Sequence, residues 1–289
     1  MMEPWPIAAR VKQSLPVRRV CGDPACRGGS RLWPWRDDGI CLNQVWFCSP
    51  RCLEAGARRV IARALLPTGN LAEKRHRIPL GLILLSRGAL TPPQLLAALA
   101  AQQAAGRDRL GEWLERLGFV GGEQVLAALG VQWACPVLPR SAGLALCSQK
   151  LPRPLLEMFH MLPLQFVPAR NTLYVGFCQD VHYPALCAVE AMLHCRTEAC
   201  LMHRVQWQRA LTRLEEPPQD EFVFRGRFIP VEMARIVASY AVKLGARHTR
   251  LVALGRALWL RLEKETTAND LLFLEGAPVA DDRGERASG

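Results

Sequence analysis

Five cysteines near the amino terminus have the spacing to bind a metal ion. The first pair is Cys21 and Cys26, which are separated by four residues. The second pair is Cys48 and Cys52, which are separated by three, and the fifth cysteine, Cys41, lies between the two pairs. Ser49 followed by Pro50 is typical of a helix start, so two thiols bracket the first turn of a helix that ends near Leu66. Two thiolates at a helix N-terminus and two from an upstream turn complete the tetrahedral ligand set of structural zinc. The predicted ligands are Cys21, Cys26, Cys48 and Cys52.

The second cysteine pair lies in FCSPRC, residues 47–52, which resembles the F-C-S-x-x-C pattern of small treble-clef zinc modules. The four-residue gap between Cys21 and Cys26 is wider than the usual two, so Cys41 is an alternative ligand. Metal-free cysteines are the other alternative. The nearest histidine in the sequence is His76, so a catalytic thiol is not expected.

The strongest pattern in the chain is an internal repeat. Residues 79–102 and 109–132 align without a gap over their whole length. Each copy predicts a helix, a turn at Gly88 or Gly118, and a second helix whose apolar positions share one face. In the first copy, Thr91 is expected to cap the second helix and Pro92 to begin it. An apolar stripe that ends in a glutamine could hold a planar base; alternatively, the leucines form only a core.

The doubled pattern R-L-G-x-x-L-x-x-x-G, continued by L-x-x-A-L-x-x-Q, resembles the N-terminal domain of type II secretion and type IV pilus assembly ATPases. This is the MshEN type, also called the T2SSE N-terminal domain. The resemblance continues through residues 151–164, 171–180 and 193–205, over about 140 residues. It implies cyclic di-GMP binding at these positions: Leu80, Gly81, Leu84, Leu95, Leu99, Gln102, Arg109, Leu110, Gly111, Leu114, Val125, Leu129 and Gln132.

The two copies differ at their first position. The second copy opens with Arg109, whereas the first has Pro79, which offers no side-chain donor. Arg77 lies two residues upstream. Loss of one charge-assisted hydrogen bond costs about 1.5–3 kcal/mol, roughly ten- to a hundred-fold in affinity. The sequence therefore leaves two readings open: a cyclic di-GMP sensor, or a ligand-free interaction module with the same fold.

Several functional classes lack sequence support. The chain has no G-x-x-x-x-G-K-[ST] loop for nucleotide phosphates, no credible Ser/His/Asp arrangement and no paired-carboxylate site, so we expect no enzyme activity. The nearly uncharged apolar run Ile78–Ser86 is much too short to span a bilayer, which needs about 20 residues. Residues 1–16 contain no apolar signal-peptide core, and a cytoplasmic location in a bacterial cell is expected.

Positive charge is concentrated at the amino terminus. The net charge of the chain is +11, and residues 1–77 contain 14 Lys and Arg against 6 Asp and Glu. Such a surface could meet nucleic acid, anionic lipid or an acidic protein, although a solvated basic face is equally compatible with it.

These patterns predict a mostly helical α+β fold. A flexible basic arm (1–20) precedes a cysteine-rich module with a helix (21–70). The MshEN-type domain (71–216) combines the helical-hairpin tandem repeat with a small α/β subdomain. A linker (217–221), an αβββ unit (222–276) and a disordered tail (277–289) follow. The αβββ unit is weakly similar to the second domain of the same ATPases.

The predicted function is that of a non-catalytic regulator or adaptor. It would bind cyclic di-GMP and act on a secretion or pilus machinery. The alternative is an interaction module that docks such an ATPase or, through its basic zinc module, nucleic acid.

Overall fold

The computed structural model describes residues 20–26, 39–66, 77–106, 108–140, 147, 151–214, 221–255, 257–265 and 267–275. Within them the fold is α+β and rich in helix, as predicted. The predicted arm, linker and tail lie outside the described residues, apart from Val20 and Glu221. In the described part of the chain, no helix combines the length and the apolarity needed to cross a bilayer.

The helices and strands are as follows, in chain order: β1 (Ile40–Leu42), β2 (Val45–Phe47), α1 (Pro50–Ala64), α2 (Leu80–Ser86), α3 (Pro92–Ala105), α4 (Leu110–Arg116), α5 (Gly122–Trp133), α6 (Arg153–Met158), β3 (Met161–Val167), β4 (Thr172–Phe177), α7 (Tyr183–Leu193), β5 (Arg196–Leu201), α8 (Arg204–Arg213), β6 (Glu221–Arg225), α9 (Pro230–Lys243), β7 (His248–Leu254), β8 (Ala257–Lys264) and β9 (Thr267–Leu274). One sheet has the order β2-β1-β7-β8-β9-β6, and a smaller sheet has the order β3-β4-β5.

The chain forms two compact units. Of the described residues, the first contains those up to Ala64, together with Arg227–Leu251 and Leu262–Ala268. The second contains the described residues within Leu65–Gly226, within Val252–Arg261 and from Asn269 onward. The first unit therefore brings together the cysteine-rich segment and helix α9, which sequence analysis assigned to separate domains.

A hairpin and a helix form the amino-terminal part of the first unit. Strands β1 and β2 are antiparallel, and both turn residues, Asn43 and Gln44, have positive φ, as two-residue type I′ hairpins require. The predicted helix start is confirmed: the Cys52 amide donates to Ser49 Oγ at 3.3 Å, and α1 begins at Pro50. The ring of Phe47 occupies the space that a side chain on Gly56 of α1 would need.

The carboxy-terminal part of the first unit packs directly on this hairpin and helix. Helices α1 and α9 pack against each other, and β1 pairs in parallel with β7. The Asn43 side chain accepts a hydrogen bond from the Leu251 amide (2.8 Å) and donates to the Leu251 carbonyl (3.1 Å). Thr249 Oγ1 donates to the Cys41 carbonyl at 2.7 Å. Two segments about 200 residues apart in sequence thus share one core.

The second unit begins with the tandem repeat, helices α2 to α5. Its two glycine turns have the same left-handed conformation, with φ of 66° at Gly88 and 68° at Gly118. Helix α3 begins at Pro92 as predicted, and the Thr91 amide donates to Gln94 Oε1 at 2.9 Å. The same bond recurs between the Gly121 amide and the Gln124 side chain at 3.0 Å.

The α/β subdomain follows the repeat within the second unit. Strand β4 is antiparallel to β3 and parallel to β5, and the core includes Phe177, Val189 and Trp207. Strand β6 begins at Glu221, the last residue of the predicted linker, and pairs in parallel with β9.

Candidate ligand and metal sites

The two copies of the repeat are intertwined rather than placed side by side. Helix α2 of the first copy packs against α5 of the second, and α4 of the second packs against α3 of the first. A Cβ on Gly81 would lie 3.5 Å from Leu110 Cδ2, and one on Gly111 would lie 3.5 Å from Leu80 Cδ2. Each contact therefore has a counterpart with the copies exchanged, which gives the repeat an approximate two-fold arrangement.

Both glycines allow a close approach within their own copy as well. A Cβ added to Gly81 would lie 2.7 Å from a methyl group of Leu95. A Cβ added to Gly111 would lie 2.9 Å from a methyl group of Val125. Such distances are too short for a side chain, so the helices can pack this closely only with glycine.

The glutamine that ends each copy forms a hydrogen bond with the residue just before the other copy. Gln102 Nε2 donates to the Asp108 carbonyl at 3.0 Å, and Gln132 Nε2 donates to the Ile78 carbonyl at 2.8 Å. Asp108 and Ile78 occupy equivalent places, each just before the first position of a copy. The two amides therefore fix the backbone that leads into Arg109 and into Pro79.

The predicted apolar ligand residues differ in burial. Leu84, Leu114 and Val125 lie in the core between the four helices, at most 6% exposed. The partly exposed members are Leu80, Leu95, Leu99, Leu110 and Leu129, and all of them except Leu99 are among the residues that pack against this core. Only this second group presents apolar surface that a ligand can reach without displacing the core.

Arg109 is exposed and oriented by a carboxylate of the α/β subdomain. Its guanidinium lies 2.6 Å from Asp180 Oδ2, and both side chains are about half exposed. His160 lies near this pair; burial first, and then the charges of Arg109 and Arg204, lower the pKa of its imidazole. The remaining N–H groups of the guanidinium can still donate hydrogen bonds, since arginine has five.

Two further polar contacts join the second copy to the α/β subdomain. Arg204 NH1 lies 3.0 Å from Glu112 Oε1, and His203 Nε2 lies 3.0 Å from Glu123 Oε1. An exposed ion pair such as that of Arg204 and Glu112 contributes about 0–1 kcal/mol, so it specifies orientation more than stability.

The first copy keeps the backbone of the second at its opening position but not the side chain. Pro79 has φ −56° and ψ 139°, and Arg109 has φ −94° and ψ 153°; each residue immediately precedes its helix. Two residues before Pro79, the Arg77 guanidinium lies 3.4 Å from the centre of the Trp133 ring. A cation therefore lies near the first position of each copy. In the second copy it is Arg109 itself, and in the first copy it is Arg77, two residues upstream.

Four of the five amino-terminal cysteines form one cluster. The sulfur atoms of Cys21, Cys26, Cys48 and Cys52 all lie within 4.8 Å of one another. Two separations are 3.5 Å, between Cys26 and Cys48, and 3.8 Å, between Cys48 and Cys52. Zinc–sulfur bonds of about 2.3 Å in a tetrahedron place the sulfurs about 3.8 Å apart, so this donor set fits zinc.

The alternative ligand Cys41 does not belong to this cluster, because it lies within β1, where its backbone pairs with the β7 segment. Of the four clustered cysteines, Cys52 is buried and Cys21, Cys26 and Cys48 are partly exposed. Burial, and then neighbouring thiols, raise the pKa of Cys48, and burial raises the pKa of Cys52 to about 12.

A salt bridge holds the first cysteine loop against α1. Arg59 NH1 lies 3.3 Å from Asp23 Oδ1, and Arg59 NH2 donates to the Gly22 carbonyl at 3.0 Å. Burial alone would raise the pKa of Asp23, but hydrogen bonds from the Ala25 amide and Arg59 outweigh it and lower that pKa. The loop that carries Cys21 and Cys26 is thereby fixed to helix α1, which carries Cys52.

Part of this chain is similar to solved structures. The chain is similar to MshE and to the N-terminal domain of XpsE. A structure of MshE with cdg is 26% identical, covers 47% of this chain and 99% of the matched chain, and has a TM-score of 0.40. Two structures of the XpsE N-terminal domain are 20% and 21% identical, each cover 46% of this chain and 92% of the matched one, and have TM-scores of 0.37 and 0.30. No family model and no curated protein matches the chain.

The four clustered cysteines and the repeat positions were predicted from the sequence, whereas Asp180 was missed. The signal was present, because Asp180 follows strand β4 in an acidic turn. The bond from Gln132 to the Ile78 carbonyl was also missed, since a glutamine on a leucine stripe was expected to face the ligand rather than the other copy.

Proposed function

We propose that the tandem repeat binds one molecule of cyclic di-GMP and that the protein is a non-catalytic regulator of a secretion or pilus machinery. The observation that carries this proposal is the reciprocal packing of the two copies. Cyclic di-GMP is itself two-fold symmetric, with two guanines and two phosphates. A protein surface in which each copy presents equivalent groups can meet both halves of such a ligand in the same way.

The partly exposed groups of each copy have the chemistry that a guanine nucleotide requires. Leu95, Leu99 and Leu129 offer apolar surface for a base, and the guanidinium of Arg109 can form a pair of hydrogen bonds with phosphate or with a guanine edge. Asp180 orients that guanidinium. At the other copy, Arg77 supplies a cation from its position above Trp133.

The cysteine cluster supports a structural zinc ion as the second component. Four thiolates would close the coordination sphere and leave no open position for chemistry. The ion would connect the loop of Cys21 and Cys26 to the amino-terminal turn of α1, and α1 in turn packs on α9. In this proposal zinc stabilises the first unit and has no direct role in ligand binding.

Ligand binding can reach the rest of the protein through Arg109. Its partner Asp180 belongs to the α/β subdomain, so a ligand that changes the position of the guanidinium changes a contact between repeat and subdomain. A ligand shifts such an arrangement only as far as it favours one state over the other. A partner protein of the secretion or pilus machinery would respond to this change by binding one of the two arrangements more tightly.

The test is isothermal titration of cyclic di-GMP into the purified full-length protein. We expect about one ligand per chain, and an affinity about ten- to a hundred-fold lower for Arg109→Ala, because one charge-assisted interaction is lost. The matched control is Arg170→Ala, which removes an exposed arginine outside both copies and should leave the affinity unchanged.

Absence of binding heat at tens of micromolar ligand would contradict the proposal and leave the ligand-free interaction module as the function of the repeat. Equal losses for the two variants would also contradict it, because general charge and not Arg109 would then determine affinity.

A further inference from the structure

Helix α3 presents an uncharged, mostly apolar side that no described part of the chain covers. Its 14 residues include no Asp, Glu, Lys or Arg. On the side away from the repeat core every residue is exposed, and Leu96 is 67% exposed. At about 3.6 residues per turn these positions fall within about 120° around the helix axis. They form the α3 face: Pro93, Leu96, Ala97, Ala100, Gln103 and Ala104.

The repeat allows this face to be compared with its counterpart on α5. Residues thirty positions apart correspond in the two copies, so Leu126 is the equivalent of Leu96. Leu126 is only 6% exposed and belongs to the core of the α/β subdomain. The same side chain, at the same place in the repeat, is therefore buried in one copy and exposed in the other.

The rest of the counterpart is covered in the same way. Helix α5 packs against strand β5, and Trp133 packs against the core of the α/β subdomain. A Cβ on Gly130 would lie 2.7 Å from a methyl group of Val137. The equivalents of Gly130 and Trp133 on α3 are Ala100 and Gln103, and both are exposed. The second copy thus uses this side of its helix as an internal interface, whereas the first copy presents it at the surface.

We propose that the α3 face binds the α3 face of a second copy of this chain, so that two chains associate about a two-fold axis. In such a contact one patch serves both chains and must therefore be complementary to itself. The α3 face meets this requirement in charge, because it has none. Two chains with a net charge of +11 each repel one another, and an uncharged face is where they meet at the lowest electrostatic cost.

An antiparallel pair of α3 helices also fits in side-chain size. With the two-fold axis at Ala100, Leu96 of one chain lies opposite Ala104 of the second copy, and the same pair recurs on the other side of the axis. A large side chain therefore meets a small one at two equivalent places. Ala97 and Ala100 between them let the two helices approach closely, since the distance between packed helices depends on the side chains at the contact.

The size of the α3 face predicts a weak dimer. Stable interfaces bury about 800 Å² on each partner. One side of a 14-residue helix, about 21 Å long and about 10 Å wide, offers much less than that area. We therefore expect a dissociation constant of tens of micromolar or more, with the chain monomeric at about 1 micromolar.

The experiment is sedimentation velocity of the full-length protein, without ligand, from about 1 to about 500 micromolar. The sedimentation coefficient should rise from that of a monomer towards that of a dimer. Leu96→Arg places a cation from each chain in the contact and should raise the dissociation constant about tenfold or more, because an unpaired charge is costly to bury and like charges repel.

The matched control is Leu82→Arg, which makes the same change at another exposed leucine of the repeat, on α2 and 52% exposed. It should associate like the natural protein. Because both leucines are exposed, both variants should keep the circular dichroism spectrum and, at about 1 micromolar, the urea midpoint of the natural protein.

Two outcomes would overturn the inference. If the natural protein stays monomeric at the highest concentration, the α3 face belongs to a different protein and not to a second copy. If Leu82→Arg weakens association as much as Leu96→Arg, another surface joins the chains. Neither outcome bears on cyclic di-GMP binding, because no ligand is present and no residue of the α3 face is a predicted ligand position.

Discussion

The two units of this protein hold their candidate sites together in different ways. The tandem repeat is built from helices close in sequence, and its core consists of leucines, valines, alanines and one isoleucine. The cysteine cluster lies in a unit assembled from segments about 200 residues apart, with α1 packed on α9. The repeat thus has a core formed by neighbouring helices, whereas the first unit joins distant segments and, in our proposal, depends on the ion that its four thiols bind.

The largest expected effect comes from removal of the cluster. In Cys48→Ser/Cys52→Ser, bound zinc should fall from about one per chain to none, because two of four thiolates are lost. Structural zinc contributes about 10 kcal/mol or more in zinc-finger peptides, so the first unit should open. Hydrogen exchange would then accelerate in α1 and also in α9, while α2 to α5 keep their protection.

The matched control for this experiment is Cys187→Ser, which changes an exposed cysteine outside the cluster. It should leave zinc content and exchange unchanged. Full zinc content in the double variant, or protection of α9 that survives zinc loss, would contradict the account of the first unit.

A core truncation in the repeat should act on the second unit alone. Leu114 is completely buried, and Leu114→Ala should cost about 2–5 kcal/mol of unfolding free energy. Leu96→Ala, on the exposed side of α3, is the control and should cost less than about 0.5 kcal/mol. Urea unfolding measures both, and similar values for the two would show that the four helices do not form the packed core described above.

Sequence patterns predicted the repeat well because its determinants are local. Gly88 and Gly118 end the first helices, Pro92 begins a second helix, and equal spacing revealed both copies without knowledge of any other part of the chain. The approach of two of the four clustered cysteines was also predictable, since Ser49 and Pro50 mark the helix start that brings Cys48 and Cys52 together.

What could not be predicted depends on contacts between distant segments. Nothing near Asn43 indicates that its side chain will pair with the backbone of Leu251, and nothing in α1 identifies α9 as its partner. The strand that begins at Glu221 was missed for the same reason: it is defined by pairing with β9 and follows a proline pair typical of a linker.

A smaller, pH-dependent effect is expected at Glu221. Burial, and then the nearby charge of Asp270, raise the pKa of Glu221 to about 7. One of its carboxylate oxygens is buried and has no hydrogen-bond partner among the described residues. Asp270 itself is held by Arg261, through Nε at 2.9 Å and NH2 at 2.7 Å.

The sign of this effect follows from the raised pKa of Glu221. Between its usual value near 4.5 and about 7, the folded protein keeps a proton that the unfolded chain has lost, so stability falls as pH rises through this window. Glu221→Gln cannot ionise and should be more stable than the natural protein above about pH 7, by about 2 kcal/mol after allowance for solvent screening.

Urea unfolding of both proteins at about pH 5 and about pH 8 measures this effect. The two should differ little at the lower pH. A natural protein that gains stability between the two values relative to the glutamine variant would contradict this assignment.

The central claim is that both copies of the repeat contact one symmetric ligand, and Pro79→Arg tests it most directly. The backbone at Pro79 is extended, as it is at Arg109, and accommodates an arginine without strain. Titration of cyclic di-GMP should show about tenfold tighter binding, close to 1.4 kcal/mol, with the ratio unchanged at about one ligand per chain. Unchanged or absent binding in this variant, or two independent ligands per chain, would contradict the account.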